Sequence, residues 1–362
     1  MEQVTLGVVA IVLGVLAGLV LFVPFVAVSY RRRGGLTIGR FVLWGAFLVY
    51  FWAIWTYTLL PLPDPDAVVC VGTNINLLEF VDDIRGAIAR PGNTLTDTVV
   101  LQLLMNVLLF MPLGFFLRVL GGRGIFTALL VGLGLSVFIE TTQLTGVWGL
   151  YPCAYRVFDV DDMLTNTIGA LLGSVVGLVV PRRYRGMSKR ADASEPRPVT
   201  RGRRFTAMLC DWLGASLVAL TAGILTQLWL EYIAHDHPAV IAGDIASAMA
   251  AWVPVVVWLI LVLLTGRTLG DIAVDLRYEG GSVPGPIARV LRYLGGIGGY
   301  LLLGLVPAPS TVFMGSFALI SLILIFTTAR GRGLPGLASG QQIVDAREGA
   351  TALPSTSDRV DA

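Results

Sequence analysis

The chain has 362 residues, of which 55% are apolar and only 14% charged, and its formal net charge is +2. With a mean hydropathy of +0.78 these values exclude an ordinary soluble domain, and no alternating ten-residue strand pattern points to a barrel. Several runs reach the ~20 apolar residues that cross a hydrocarbon core, where only a helix satisfies its own backbone. The expected class is therefore all-α: a polytopic transmembrane helical bundle of about nine spans in two modules, five and then four. So small a net charge carries little information about partners, and nucleic acid is not expected among them.

Taken in chain order, the first span is Val4 to Tyr30, with Arg31, Arg32, Arg33 and Arg40 behind it. No basic residue precedes the apolar run, so a retained span is expected rather than a cleaved secretory signal. The positive-inside rule then places the N-terminus outside and the arginine turn in the cytoplasm. A second span, Phe41 to Leu60, carries Trp44, Tyr50, Trp52, Trp55 and Tyr57, in part an aromatic belt. The acidic stretch from Pro61 to Asp97 reads as an outer loop. The third span, Thr98 to Leu117, returns inward, the fourth, Ile125 to Thr145, goes out, and the fifth, Met163 to Val180, comes back to RRYRGMSKR.

Residues 1–183 form the first expected module. Residues 184–203, basic and proline-containing, read as a flexible cytoplasmic linker whose charge suits anionic lipid headgroups. The second module, 204–346, has spans at Phe205 to Leu230, Ile245 to Leu264 and Thr311 to Thr328. Tyr293 to Val306, short and glycine-rich, either crosses or re-enters; crossing puts every basic cluster, and the C-terminus, in the cytoplasm. Residues 347–362 read as a disordered tail, while GLASGQQIVD just before them has the character of a docking segment.

Three spans of the first module carry polar stripes. Asp162, Asn166, Gly169, Gly173 and Gly177 recur at three and four residues, so they share one helix face, and their glycines suit close packing on a neighbour. Gly132, Ser136, Glu140 and Gln143 make a similar stripe, and Gln102 and Asn106 stack one turn apart. At ~1.5 Å per residue these groups sit within ~6 to 12 Å of the outer surface, so Asn106, Glu140, Gln143, Arg156 and Asn166 are the candidate ligand-binding residues of an outward-facing pocket. A carboxylate near mid-span costs roughly 2.5 to 3.5 kcal/mol, so Glu140 requires a partner or a wet cavity.

Glu140, Asp159, Asp161 and Asp162 are the catalytic candidates. The bland reading has Asp161 or Asp162 capping the fifth helix and Asn106 and Gln143 as inter-helical hydrogen-bond glue. The sharper reading is a cation site, such as one for Mg²⁺, or a general acid/base pair. No cofactor is specified. Cys70 and Cys153 both fall outside on this topology, where a disulfide across the outer loop is an open option. The three cysteines have no metal-ligand spacing, and the HDH of His235 to His237 is a weak metal signal.

NLLEF (Asn76 to Phe80), NVLLFMPLGFFL (Asn106 to Leu117), IETTQ (Ile139 to Gln143) and RVFDVDDMLTNTIGALLG (Arg156 to Gly173) resemble, in order, the VanZ-like family over roughly residues 40 to 180. The resemblance implies a role in the cell envelope and in tolerance of the glycopeptide teicoplanin. Glu79 departs from it, standing where proline is more usual. In the second module R-x-x-A-x-x-x-D (Arg204 to Asp211), GRTLG (Gly266 to Gly270) and PIARVLR (Pro286 to Arg292) resemble the RDD family, some of whose members are proposed ion transporters. There Asp271 replaces a more usual basic residue. Arg204, Asp211, Arg267, Arg289 and Arg292 form the expected ion pair or ion pathway, with an arginine from the inner loop as partner to Asp211.

Three functions follow as expectations. The first is an envelope membrane protein whose outer pocket binds an amphiphilic or lipid-linked ligand, a membrane lipid or wall precursor, or a glycopeptide. The second is a carboxylate- or metal-dependent enzyme acting on a lipid-linked precursor, and the third an ion transporter or exchanger through the second module.

Overall fold

The computed structural model describes residues 2–90, 93–186, 191–307 and 309–348. Among these residues eight helices are long and apolar enough to cross a membrane, and the protein is an all-α polytopic bundle. The chain divides into two units, Met1–Gly18 with Thr37–Ser188 and Leu19–Leu36 with Lys189–Ala362. The first helix, α1 (Glu2–Arg33), is shared between them.

The first unit adds α2 (Ile38–Leu59), β1 (Thr73–Asn74), α3 (Glu79–Ala89), α4 (Thr98–Val119), α5 (Ile125–Leu144), the single turn α6 (Gly146–Gly149), β2 (Phe158–Asp159) and α7 (Val160–Val176). Its core sets Ile54 of α2 against Phe110 and Leu113 of α4 and Ile139 of α5. Along three glycines the seam between α4 and α7 sets backbone against backbone. A Cβ at Gly114 would overlap the Ala170 carbonyl, and one at Gly169 or Gly173 would overlap the carbonyl of Val107 or Met111. The glycine stripe thus lets two backbones touch, which is how helices associate where lipid offers no hydrophobic drive.

The expected aromatic belt on α2 is partly an internal feature. Trp55 packs edge-on to Phe138, and Tyr50 lies against Phe116 with its hydroxyl inside the hydrogen-bond ladder of α4. That hydroxyl donates to the Leu109 carbonyl at 2.6 Å and accepts from the Leu113 N–H at 3.1 Å. It bridges the pair that an unbroken helix would join directly, beside Pro112, which supplies no N–H of its own. Tyr50→Phe strands both backbone groups in lipid-depth packing, and a loss of about 1–3 kcal/mol is expected. A thermal melt of the purified protein in detergent reads this out; an unchanged midpoint would show that the bridge carries no weight.

The acidic stretch read as an outer loop contains a helix of its own, α3, and a short parallel pairing of β1 with β2. Cys70 and Cys153 are disulfide-bonded, with Cα atoms 5.5 Å apart and a sequence separation of 83. Closing so long a loop restricts the unfolded chain, and reduction is expected to cost about 4.5 kcal/mol. The same melt with and without reductant measures it, with Cys70→Ser as the matching variant.

In the second unit α8 (Arg201–Tyr232), α9 (His237–Ala242), α10 (Asp244–Thr265), α11 (Leu269–Ala273) and β3 (Leu276–Glu279) are followed by α12 (Gly285–Leu294), α13 (Ile297–Gly304), α14 (Ser310–Thr327), α15 (Gly333–Ser339) and β4 (Gln342–Asp345). Its core gathers Ala215, Val255, Trp258, Val262 and Tyr293. The ninth span expected at Tyr293 to Val306 is absent as a single helix: α13 has eight residues, only ~12 Å of rise. The chain breaks at Gly295 and Gly296, where a side chain would meet Leu334 and Pro335.

The start of α8, the end of α10 and the end of α14 nevertheless share one end of this unit. Arg204 ion-pairs with Asp271 just past α10, and Gly331, just past α14, packs beside Arg204. The chain therefore changes ends between α10 and α14 through α12 and α13 in tandem. Tyr30, near the end of α1, lies under Arg203 at the same end.

Residues 191–203 are held to the C-terminal strand. Asp345, fully buried, accepts from Arg203 at 2.8 Å and from the N–H groups of Arg197 and Arg347, while β4 pairs antiparallel with β3. Burial opposes ionisation of Asp345, but these donors outweigh it and hold its carboxyl below the usual carboxylate range. The docking character of GLASGQQIVD is realised as α15 and β4, while residues 349–362, most of the tail expected to be disordered, lie outside the described residues.

Candidate functional site

The polar groups of the first unit meet at the end where α4 and α7 begin and α5 finishes. Asp159 ends β2 and caps α7, its Oδ1 accepting from the Asp161 N–H at 2.8 Å. The cap was expected from Asp161 or Asp162, but Asp161 faces the other way. It accepts from the N–H groups of Leu78 at 2.7 Å and Phe80 at 2.9 Å, so it caps α3. The exposed N-terminus of α3, entered through Leu78 at φ +70°, is thereby tied to the start of α7. Glu79 lies on the first turn of α3 beside Asn76.

Two carboxylates are left facing the helix junction. Glu140, 3% exposed, accepts from the Asp159 N–H through Oε2 at 3.0 Å. Asp162 accepts from the Asn106 amide through Oδ1 at 2.6 Å. The second oxygen of each carboxylate receives no hydrogen bond from the described residues, and neither group has an ion-pair partner among them. Arg156 lies within electrostatic reach of Glu140, but its Nη2 donates to the Leu60 carbonyl at 3.0 Å. Glu140, Asp159 and Asp162 against this one arginine leave a net negative corner.

One turn deeper, Asn166 donates to the Ser136 hydroxyl at 2.9 Å across the α5–α7 seam, and its Oδ1 is buried with no hydrogen-bond partner. Gln143 donates to the Thr58 carbonyl at 2.7 Å, closing the last turn of α2. Gln102 is exposed on α4. The expected constellation is thus divided by use. Asn106, Glu140, Asp159, Asp162 and Arg156 share a corner, Asn166 lies beneath it, and Asp161 and Gln143 hold backbone ends.

Asn74, whose amide reaches the Asp159 carboxylate at 3.3 Å through the β1–β2 pairing, was not legible in the sequence. Its sole signal was an Asn in a polar loop. Just outside the helices Tyr155 donates to the Leu59 carbonyl at 3.2 Å, and burial pushes its phenol pKa up. No three His, Cys, Asp or Glu side chains among the described residues are grouped to hold one metal ion.

The residues that build this corner all lie inside one family match. Residues 47–180 match the family model VanZ/LLP1. The match spans less than half of the chain and takes in α4, α5, α7 and both cysteines. No curated protein and no solved structure matches the chain.

In the second unit the expected partner of Asp211 proves wrong. Asp211 accepts from the Thr268 hydroxyl at 2.6 Å, the Gly270 N–H at 2.8 Å and the Trp258 indole at 3.0 Å. Neutral donors from the start of α11 and from α10 satisfy it, and Gly270 packs directly on the Ala207 carbonyl, one turn away on α8. Arg204 instead meets Asp271, the residue that departs from the RDD pattern, at 3.0 Å. Arg267 donates to the carbonyls of Leu276 and Asp271, and Arg289 to that of Leu263. In the HDH segment Asp236 caps α9, and His237 contacts Glu231 at 3.0 Å.

Proposed function

We propose that the first unit is an envelope-facing receptor site for an amphiphilic or lipid-linked ligand, and that it contributes to tolerance of teicoplanin-like glycopeptides. One observation carries this reading: two carboxylates, the buried Glu140 and the half-buried Asp162, each keep an oxygen that accepts nothing from the described residues and have no counter-ion among them. Keeping such groups at a helix junction costs free energy unless something answers them. The complement is a hydrogen-bond donor or ammonium group on a ligand whose apolar part lies in the bilayer. The VanZ/LLP1 match over 47–180 supports the envelope role.

The orientation belongs to the same proposal. At one end of the second unit stand Arg33, Arg203, Arg204, Arg267, Arg292 and Arg332, which the positive-inside rule assigns to the cytoplasm. α1 then starts outside, and the C-terminal strand lies inside. The Cys70–Cys153 bond favours an oxidising exterior for the carboxylate corner. On the motifs around Arg204, Gly266 and Pro286, residues 204–346 form an RDD-like module.

The test is expression in a glycopeptide-susceptible bacterial host with teicoplanin susceptibility as the readout. The wild-type chain is expected to raise the inhibitory concentration. Glu140→Gln with Asp162→Asn, folded by size-exclusion chromatography, is expected to abolish most of that rise through about tenfold weaker binding, about 1.4 kcal/mol. Full tolerance in the double variant would sink the carboxylate reading.

A further inference from the structure

The second unit holds a partly open cavity of about 330 Å³ between α8, α12, α13 and α14, within the size range of small-ligand sites. It lies beside the glycine break at Gly295 and Gly296, where α12 ends and the short α13 begins. Trp212, Ile297, Phe317 and Leu322 give it an apolar wall.

Its polar end is unusual in what it leaves unused. Arg204, Arg292, Tyr278 and Ser321 line the cavity, and in each of them a buried donor, Nε of the arginines and the hydroxyls of Tyr278 and Ser321, has no hydrogen-bond partner. Every one of the four is able to donate. The acids nearby are already answered: both oxygens of Asp211 accept from Thr268, Gly270 and Trp258, and Asp271 accepts from Arg204 and the Thr268 N–H. Three arginines, Arg204, Arg267 and Arg292, line the cavity against these two aspartates. Arg292, only 7% exposed, is stacked over the Tyr278 ring at 5.0 Å. An unsatisfied buried guanidinium is expensive, and an anion is the group that relieves it.

We propose that this cavity is a binding site for an anionic phospholipid. Its phosphate is taken by Arg292, with Tyr278 and Ser321 as further donors, and its upper chain lies along Trp212, Phe317 and Leu322. The cavity volume accommodates a headgroup phosphate and the first part of a chain, while the rest of the chain remains in the bilayer. A phosphate alone would leave the apolar wall unfilled, which favours the lipid over the free ion. The site is separate from the carboxylate corner of the first unit and does not depend on it.

The experiment uses the full chain in detergent and native mass spectrometry, with 1-oleoyl lysophosphatidic acid, 1-oleoyl lysophosphatidylcholine and inorganic phosphate as probes. The lysophosphatidic acid is expected to bind about tenfold tighter than the choline lipid, with inorganic phosphate failing to displace it. Arg292→Gln is expected to remove that preference, and Leu322→Trp, which fills the apolar wall, to weaken binding of the anionic lipid about tenfold. Arg289→Gln, outside the cavity, should leave it unchanged. Equal binding of the two lipids, displacement by phosphate, or an undiminished preference in folded Arg292→Gln would each overturn the proposal. Should that variant fail to fold, undiminished binding in Leu322→Trp would do so.

Discussion

Gly173→Leu is expected to yield no folded protein. The new side chain has no space to enter, because any Cβ at this position overlaps the Met111 carbonyl and the two backbones must separate by more than a methyl width. Separation of α4 from α7 loses the close contact along three glycines and also pulls Asn106 from Asp162, whose bond of 2.6 Å spans the same seam. Overpacking of this kind belongs to the small class of substitutions costing more than about 4 kcal/mol. Size-exclusion chromatography and a circular-dichroism melt of the detergent-solubilised protein provide the readout. Gly134→Ala is the control, since nothing lies within 4 Å of a Cβ there. A monodisperse Gly173→Leu protein with the midpoint of the control would mean that the seam is far looser than the packing described above.

Breaking the Arg204–Asp271 pair from one side has the second largest expected effect. Both side chains are 5% exposed and meet at 3.0 Å, so Arg204→Met leaves Asp271 charged, buried and without its cation. The expected cost is about 3–5 kcal/mol, because desolvation is no longer repaid. Asp271→Asn keeps the acceptor that its Thr268 capping box requires while removing the charge. Combined with Arg204→Met it should therefore recover a large part of the loss. The four melting midpoints of the cycle settle this, and strictly additive effects of the two substitutions would show that the pair is not coupled.

The boundaries of the long helices were legible because burial in lipid is a local and additive property of a run of side chains. Eight of the expected spans appear within a few residues of their assigned ends. The glycine stripe on α7 was likewise readable, since a three-and-four spacing defines a helix face before any partner is known. The segment from Tyr293 to Val306 was not, because its apolar content is that of a span while its break depends on Leu334 and Pro335, some forty residues later in the chain.

Partner choice among the polar residues escaped one-dimensional reading for the same reason. Asp159, Asp161 and Asp162 are near-equivalent in sequence, yet one caps α7, one caps α3 and one meets Asn106, 56 residues earlier. Asp211 takes neutral donors where charge complementarity alone would give it an arginine, and Arg204 pairs with Asp271 instead. From the sequence alone came the membrane class, the helices and the faces they present, because the free energy of placing a residue in lipid depends on that residue and its immediate neighbours. Which buried donor answers which acceptor was decided only by tertiary packing, because a hydrogen bond acts over about 3 Å and its partner is whichever group the fold brings that close.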